Sequence, residues 1–284
     1  MLNLRTEIET AVGRRPVDIA PLSGGCIGQV YRIRLAGGET VVAKFDDGPA
    51  PKLATEAMML GYLRQHSQLP VPTVLFSADH LLIMEFLPGD SRFNDQAQAH
   101  AAELLAALHD VSVPLFGFAQ ETLIGGLPQP NEWMRNWLDF FRERRVMHMA
   151  VEAAAHGRLP VNYLGRLENF CAQLDQWLRE PARPSLLHGD VWTTNVLAVG
   201  DRITGFVDPA IYYGHPEIEL AFTTLFGTFG EPFFKRYQAL RPLPSGFFET
   251  RRDIYNLYPL LVHVNLFGGG YVSSVDTILR RFGF

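Results

Sequence analysis

The chain has 284 residues, 47% of them hydrophobic and 19% charged, with a formal net charge of -5. This composition excludes a disordered chain and leaves room for a large core in one or two domains. Without a dense Lys/Arg run, binding to nucleic acid or to an acidic membrane through bulk charge is excluded as well.

The first segment, 2–13, has the pattern of a short amphipathic helix ended by Gly13 and Pro16. VYRIRLAGGETVVAKF (30–45) alternates in β fashion on both sides of Gly37-Gly38, as a hairpin does. KLATEAMMLGYLRQH (52–66) has Leu53, Ala57, Leu60 and Leu63 at helical spacing. PVPTVLFSADHLLIMEF (70–86) predicts two more strands around Ser77-Ala78-Asp79. At Leu87-Pro88-Gly89-Asp90 the pattern changes, and helical periods follow at 95–110, 131–155, 160–180, 215–240, 247–264 and 270–282. Short β-like pieces lie only near 185–188, 195–199 and 203–207. The expected architecture is α+β. A small antiparallel-sheet lobe with one main helix (1–87) joins a larger, mostly helical lobe (88–284) through a hinge at 85–87.

Nowhere does an apolar run reach the ~20 residues that span a bilayer, and the N-terminus lacks the apolar stretch of a secretory signal. The two cysteines, Cys26 and Cys171, are far apart and form no metal-type cluster. A reducing cytoplasm is the expected compartment.

Five motifs carry chemistry. LSGGCIGQVYRI (22–33) runs from a strand into Gly24, Gly25 and Gly28 and then into a second strand. Glycines there would let backbone N–H groups approach phosphate, although an ordinary turn has the same look. It is not a P-loop, because the Gly-Lys-Ser/Thr ending is missing. In VVAKF, Lys44 lies on a strand with apolar neighbours and points either to solvent or into a cleft. Glu56 on the following helix favours the cleft, since a strand lysine paired to a helix glutamate aims an ammonium at nucleotide phosphates. Met84, Glu85, Phe86 and Leu87 fall where a hinge would meet adenine, with backbone groups of Glu85 and Leu87 as partners and Met84 bordering the pocket. An interdomain linker would read the same way.

LLHGDVWTTNVL (186–197) places Asp190 and Asn195 at the H-x-D-x-x-x-x-N spacing of a catalytic loop. Asp208 follows thirteen residues later in ITGFVDPA. Phosphoryl transfer to an alcohol needs a base, oxygen ligands for Mg²⁺ and positive charge on the phosphates. Asp190, Asn195 with Asp208, and Lys44 supply these in chain order. Asp-Pro-Ala replaces the protein-kinase Asp-Phe-Gly, and no Ala-Pro-Glu follows, so a phosphorylation-controlled activation loop is not expected.

LSGGCIGQVYRI, FGF (116–118), IGGLPQPNEW (124–133), FFRERR (140–145), LLHGDVWTTN (186–195), VDPAIYYGHPEIELAFTTLFG (207–227) and LVHVNLFGGGYV (261–272) together resemble the fructosamine (ketosamine) kinases, a branch of the aminoglycoside-phosphotransferase-like kinases. The resemblance runs almost end to end. It implies a two-lobe protein-kinase-like fold and ATP- and Mg²⁺-dependent phosphorylation of the sugar 3-hydroxyl in fructosamines, ribulosamines or related adducts, free or protein-bound, which frees the amine. On this reading Asp190 takes the hydroxyl proton, Asn195 and Asp208 hold Mg²⁺, and Lys44, positioned by Glu56, grips ATP under Gly24, Gly25 and Gly28. Trp192 lines the sugar site or packs in the core. His188 braces the loop, and Glu217 and Glu219 either orient it or complement a helix terminus. Cys26, in the phosphate loop, is either a redox-sensitive thiol or a small half-buried residue, and Cys171 belongs to the core. The chain departs from the family pattern at Val191, at Thr194 where Gly is usual, and at Pro216 where Arg is commoner. Other readings are a kinase of the same fold acting on another alcohol, such as an aminoglycoside, choline-like or sugar substrate, or a catalytically silent nucleotide-binding module. A monomer or weak homodimer is expected.

Overall fold

The computed structural model describes residues 2–22 and 29–284. The phosphate-loop expectations for Gly24, Gly25, Cys26 and Gly28 lie outside the described residues.

The N-terminal lobe begins with α1 (Leu2–Val12), followed by β1 (Pro16–Pro21), β2 (Gln29–Leu35) and β3 (Thr40–Phe45). Then come α2 (Leu53–His66), β4 (Val74–Ala78) and β5 (Leu81–Glu85). The five strands form one antiparallel sheet in the order β1-β2-β3-β5-β4. Strand alternation decides what each face meets. Val41 and Ala43 of β3, with Ile33 of β2 and Leu81 and Ile83 of β5, pack under Leu4 and Ile8 of α1. Opposite parity turns Val30, Val42, Lys44 and Met84 to the other face, where register pairs Val30 with Lys44 and Val42 with Met84. That face lines the cleft. The lysine therefore points inward because two odd-numbered neighbours are buried under α1.

The C-terminal lobe starts with α3 (Asp95–Leu108), capped by Asn94, whose side chain accepts from the Ala97 N–H at 2.9 Å. A hairpin of β6 (Thr122–Ile124) and β7 (Leu127–Gln129) follows. Next is a helical run made of α4 (Trp137–Phe140), a π-helical stretch (Phe141–Met147) and α5 (His148–Ala155), then α6 (Asn162–Cys171). β8 (Ser185–Leu187) leads into the Asp190 loop, which closes with a 3₁₀ turn at Thr193–Asn195. The hairpin of β9 (Val196–Val199) and β10 (Arg202–Phe206) comes next, and β11 (Tyr212–Gly214) pairs back onto β8. The chain ends in α7 (Pro216–Leu225), α8 (Glu231–Leu240), α9 (Arg252–Phe267) after a π turn at Phe247–Arg251, and α10 (Gly270–Arg281). Residues 254–265 of α9 are all buried, so this helix is the axis of the lobe. Among the described residues no helix is long and apolar enough to cross a membrane.

Several expected boundaries move. The helix expected over 215–240 is two helices, because Gly227 adopts φ +65° and Gly230 begins α8, with Pro232 in its first turn. The helix expected from 131 starts at Trp137, because 116–134 is an extended segment, with Phe116 and Met134 exchanging backbone hydrogen bonds at 2.9 Å in both directions. The 160–180 helix ends at Cys171 and continues only as a 3₁₀ turn at Leu174–Gln176. The β6–β7 and β11 strands were not expected; each is three residues long.

Candidate active site

The Asp190 loop is fixed by its neighbours before any ligand is considered. Gly189 has φ +86°, and a Cβ there would stand 2.0 Å from the Ala210 carbonyl oxygen. Only glycine allows the loop to lie this close to the segment carrying Asp208. Two backbone bonds join the two pieces, Val207 N–H to the Asn195 carbonyl at 3.0 Å and Ala210 N–H to the His188 carbonyl at 2.7 Å. Between those bonds Asp208 takes φ +55°, the one positive φ at a non-glycine among the described residues. A strained carboxylate held from both sides is what a functional position shows. Thr194 lies in the 3₁₀ turn without positive φ, so the turn before Asn195 forms without the glycine usual in the family.

Glu219, fully buried in α7, accepts from the Gly189 N–H at 2.6 Å. Its other oxygen meets His109 Nε2 at 2.8 Å, and His109 Nδ1 meets the Tyr237 hydroxyl at 2.7 Å. Glu217 does not reach the loop; it pairs with Arg251 through two bonds of 2.7 and 2.8 Å. His188 is buried and burial lowers its pKa, so it is neutral; its Nδ1 accepts from the Asp190 N–H at 3.3 Å.

The chemically competent side chains converge on one spot. Lys44 Nζ lies 2.7 Å from Glu56 Oε1 and 2.5 Å from Asp208 Oδ1. Burial disfavours its charge, but Asp208 and Glu56 outweigh burial and raise its pKa, so it is held cationic. Asn195 donates its Nδ2 to Asp190 Oδ2 at 2.8 Å and to the Asp190 carbonyl at 3.0 Å. Its amide oxygen then receives only a 3.4 Å contact from the Thr194 hydroxyl. Burial, and then the charge of Asp208, push Asp190 up to about 8, with hydrogen bonding from Asn195 and Trp192 opposing.

Two cavities meet at this spot. One, about 450 Å³, is lined by Val42, Met84, Glu85, Phe86 and Leu87. The other, about 370 Å³, is lined by Asp190, Trp192, Leu123, Gly125, Gly126 and Lys52. Lys44, Asn195 and Asp208 border both. Between the lobes, the Glu85 N–H donates to the Thr73 carbonyl at 2.9 Å, and the Glu85 carboxylate accepts from the Thr73 N–H and hydroxyl at 3.2 and 2.7 Å. Trp192 is half-buried, with its ring 5.6 Å from that of Phe226.

Sequence reasoning missed a second set of residues, which anchors the hairpin whose Leu123, Gly125 and Gly126 line the 370 Å³ cavity. Arg145 is fully buried yet faces no carboxylate among the described residues. It lies 3.8 Å from the Tyr212 ring centroid and 4.6 Å from that of Phe140. It donates to the Pro130 carbonyl at 2.8 Å and to Asn131 Oδ1 at 2.7 Å. Asn131 and Gln129 both donate to the Thr122 hydroxyl, at 2.8 and 2.7 Å, and Gln129 also reaches the Ala210 carbonyl at 3.0 Å. This network ties the β6–β7 hairpin to the Asp208 segment.

The fold is that of the two-lobe, aminoglycoside-phosphotransferase-like kinases. An aminoglycoside phosphotransferase crystallised with AMP-PNP and hygromycin B superposes with a TM-score of 0.70, at 17% identity over 99% of both chains. The chain belongs to the fructosamine kinase family, whose model matches residues 3–282. It is 33% identical over 271 residues to the "Probable ketoamine kinase" of Synechocystis sp., covering 92% of this chain and 88% of the relative. It is also 33% identical over 276 residues to the chloroplastic protein-ribulosamine 3-kinase of Arabidopsis thaliana, covering 93% and 82%. A crystal structure of a Thermobifida fusca protein assigned as a fructosamine-3-kinase superposes with a TM-score of 0.86 at 30% identity, covering 99% and 98%. The protein is therefore a phosphotransferase of the kinase class.

Proposed function

We propose that this kinase transfers the γ-phosphoryl group of ATP to the sugar 3-hydroxyl of ketosamines such as fructosyl- and ribulosyl-amines, which destabilises the adduct and frees the amine. The observation that carries the reading is the shared border of the two cavities. A donor in the hinge cavity and an alcohol in the Asp190 cavity would meet only at Lys44, Asn195 and Asp208. The names of the relatives support the ketosamine as the alcohol.

Each residue then has a role set by its surroundings. Asp190 accepts the hydroxyl proton, and the burial that raises its pKa makes it a stronger base than an exposed carboxylate. Asn195 fixes the Asp190 carboxylate through its Nδ2 and turns its oxygen toward the border. That oxygen and the Asp208 carboxylate are hard donors of the kind Mg²⁺ takes, so the donor set fits the ion. Lys44, kept cationic and held by Glu56, meets the phosphates as a fixed charge. Bound Mg²⁺ and ATP would supply the transferable phosphoryl group and neutralise its charge. Val42 and Met84 present an apolar wall to the base. Trp192 closes the sugar side beside the hairpin tip at Gly125-Gly126.

Mg²⁺-dependent ADP release is measured with fructosyl-lysine and ribulosyl-lysine against unmodified lysine and an aminoglycoside. Turnover on a ketosamine alone is the expected result. Turnover on the aminoglycoside alone would keep the fold and overturn the substrate.

A further inference from the structure

A third cavity, about 430 Å³, lies apart from the two that meet at Lys44. It is bounded by the 179–183 connection, the end of α8 and the π turn before α9. Four arginines line it: Arg179, Arg183, Arg241 and Arg251. Their countercharges are few. Arg183 and Arg241 share a single oxygen, Asp110 Oδ1. Arg251 is matched by Glu217. Glu180 also lines the cavity, but its carboxylate is spent on the start of α4, accepting from the Trp137 and Leu138 N–H groups at 2.7 and 3.0 Å. Arg179 donates only to the Asp175 and Leu178 carbonyls and has no ion pair among the described residues. Four guanidiniums thus face three carboxylates, Asp110, Glu180 and Glu217, which leaves a net positive charge in a concave site of a chain whose net charge is -5. Pro181, Pro216, Leu243 and Pro244 give the lining an apolar part as well.

We propose that this cavity binds a small organic phosphate, its phosphoryl group on the arginine rim and its carbon body on the proline-rich floor. The proposal goes beyond the phosphotransfer reading and does not depend on it. Guanidinium forks match phosphate oxygens in pairs, and a charge-assisted bond is the stronger kind. The volume is in the range of small-molecule sites and exceeds the need of a bare phosphate. His215 is in the wall, where burial above all, with Arg251, His109 and Arg241 adding to it, holds its pKa down at about 3. Tyr237 lines the cavity too, and through His109 and Glu219 it backs onto the Gly189 N–H. A ligand here would rest against the brace of the Asp190 loop.

The test is calorimetric titration of the full chain with phenyl phosphate and, separately, with inorganic phosphate. The comparison is with Arg179→Gln/Arg183→Gln, whose side chains are exposed and whose melting temperature checks the fold. Saturable binding of phenyl phosphate is expected, tighter than that of inorganic phosphate and weakened about tenfold or more in the double variant. Absence of binding, or equal binding by the double variant, would overturn the site. Equal affinity for inorganic phosphate would overturn the organic ligand.

Discussion

Gly189→Ala is the sharpest perturbation the site offers, because it adds one methyl group and no charge. The new Cβ would lie 2.0 Å from the Ala210 carbonyl oxygen and 2.7 Å from its carbon. Neither atom belongs to a flexible side chain. The oxygen is also held by Gln129 Nε2 at 3.0 Å, and the Ala210 N–H by the His188 carbonyl at 2.7 Å. The two segments must separate by about 1 Å to reach even the 3.0 Å limit of real Cβ contacts. The left-handed backbone at φ +86° adds roughly 1–2 kcal/mol, and the overpacking roughly 1–3 kcal/mol, so a loss of about 2–5 kcal/mol is expected. Because the movement separates Asp190 from Asp208, kcat should fall by about 10²-fold on the scale of an ångström misplacement. Urea unfolding and steady-state ADP release measure the two effects. A variant with the parent's midpoint and kcat would refute the claim that this close approach sets the catalytic geometry.

Glu219→Ala strands buried His109 and frees the Gly189 N–H, and should cost about 3–5 kcal/mol in urea unfolding; a loss under about 1 kcal/mol would show the brace to be idle. Lys44→Met should lower turnover by about 10²-fold or more, and near-parent kcat would remove the lysine from the phosphate site. Arg145→Met should destabilise by roughly 2–4 kcal/mol through lost stacking and two buried bonds. Arg145→Lys should not rescue it, since an ammonium cannot stack or fork. His188, His215 and His263 are held below their ordinary pKa by burial. The unfolded chain therefore binds more protons below about pH 6.5, so stability is complete above that value and falls as pH drops toward the folded value of about 3 at His215. Urea midpoints across that window, with His215→Gln showing a shallower decline, check the sign.

What the sequence could show was whatever local period or fixed spacing encodes. Strand alternation put Lys44 opposite Val41 and Ala43, and the spacing of Asp190, Asn195 and Asp208 reflects a single loop and the strand pair after it. Long-range partners leave no such trace. His109 meets Glu219 across 110 residues, and nothing near either one announces it. Arg145 lies in the charged run FFRERR, and nothing local to that run shows that rings from Phe140 and Tyr212 enclose it. The β6–β7 hairpin is too short for alternation to register, and Thr122 and Gln129 are polar residues on its buried side. IGGLPQPNEW was the signal available for this hairpin; the burial of Thr122 and Gln129 on either side of Gly125-Gly126 shows only in the structure.

If Asp190 drives phosphoryl transfer at the border of the two cavities, replacing it must stop the transfer and leave nucleotide binding intact. This role is tested most directly by comparing the parent and Asp190→Asn in a single-turnover experiment with Mg²⁺, labelled ATP and fructosyl-lysine, after nucleotide binding has been measured for both. Equal ATP affinity and label transfer to the sugar by the parent are expected, with transfer nearly abolished in the variant. Transfer at the parental rate by Asp190→Asn would contradict it.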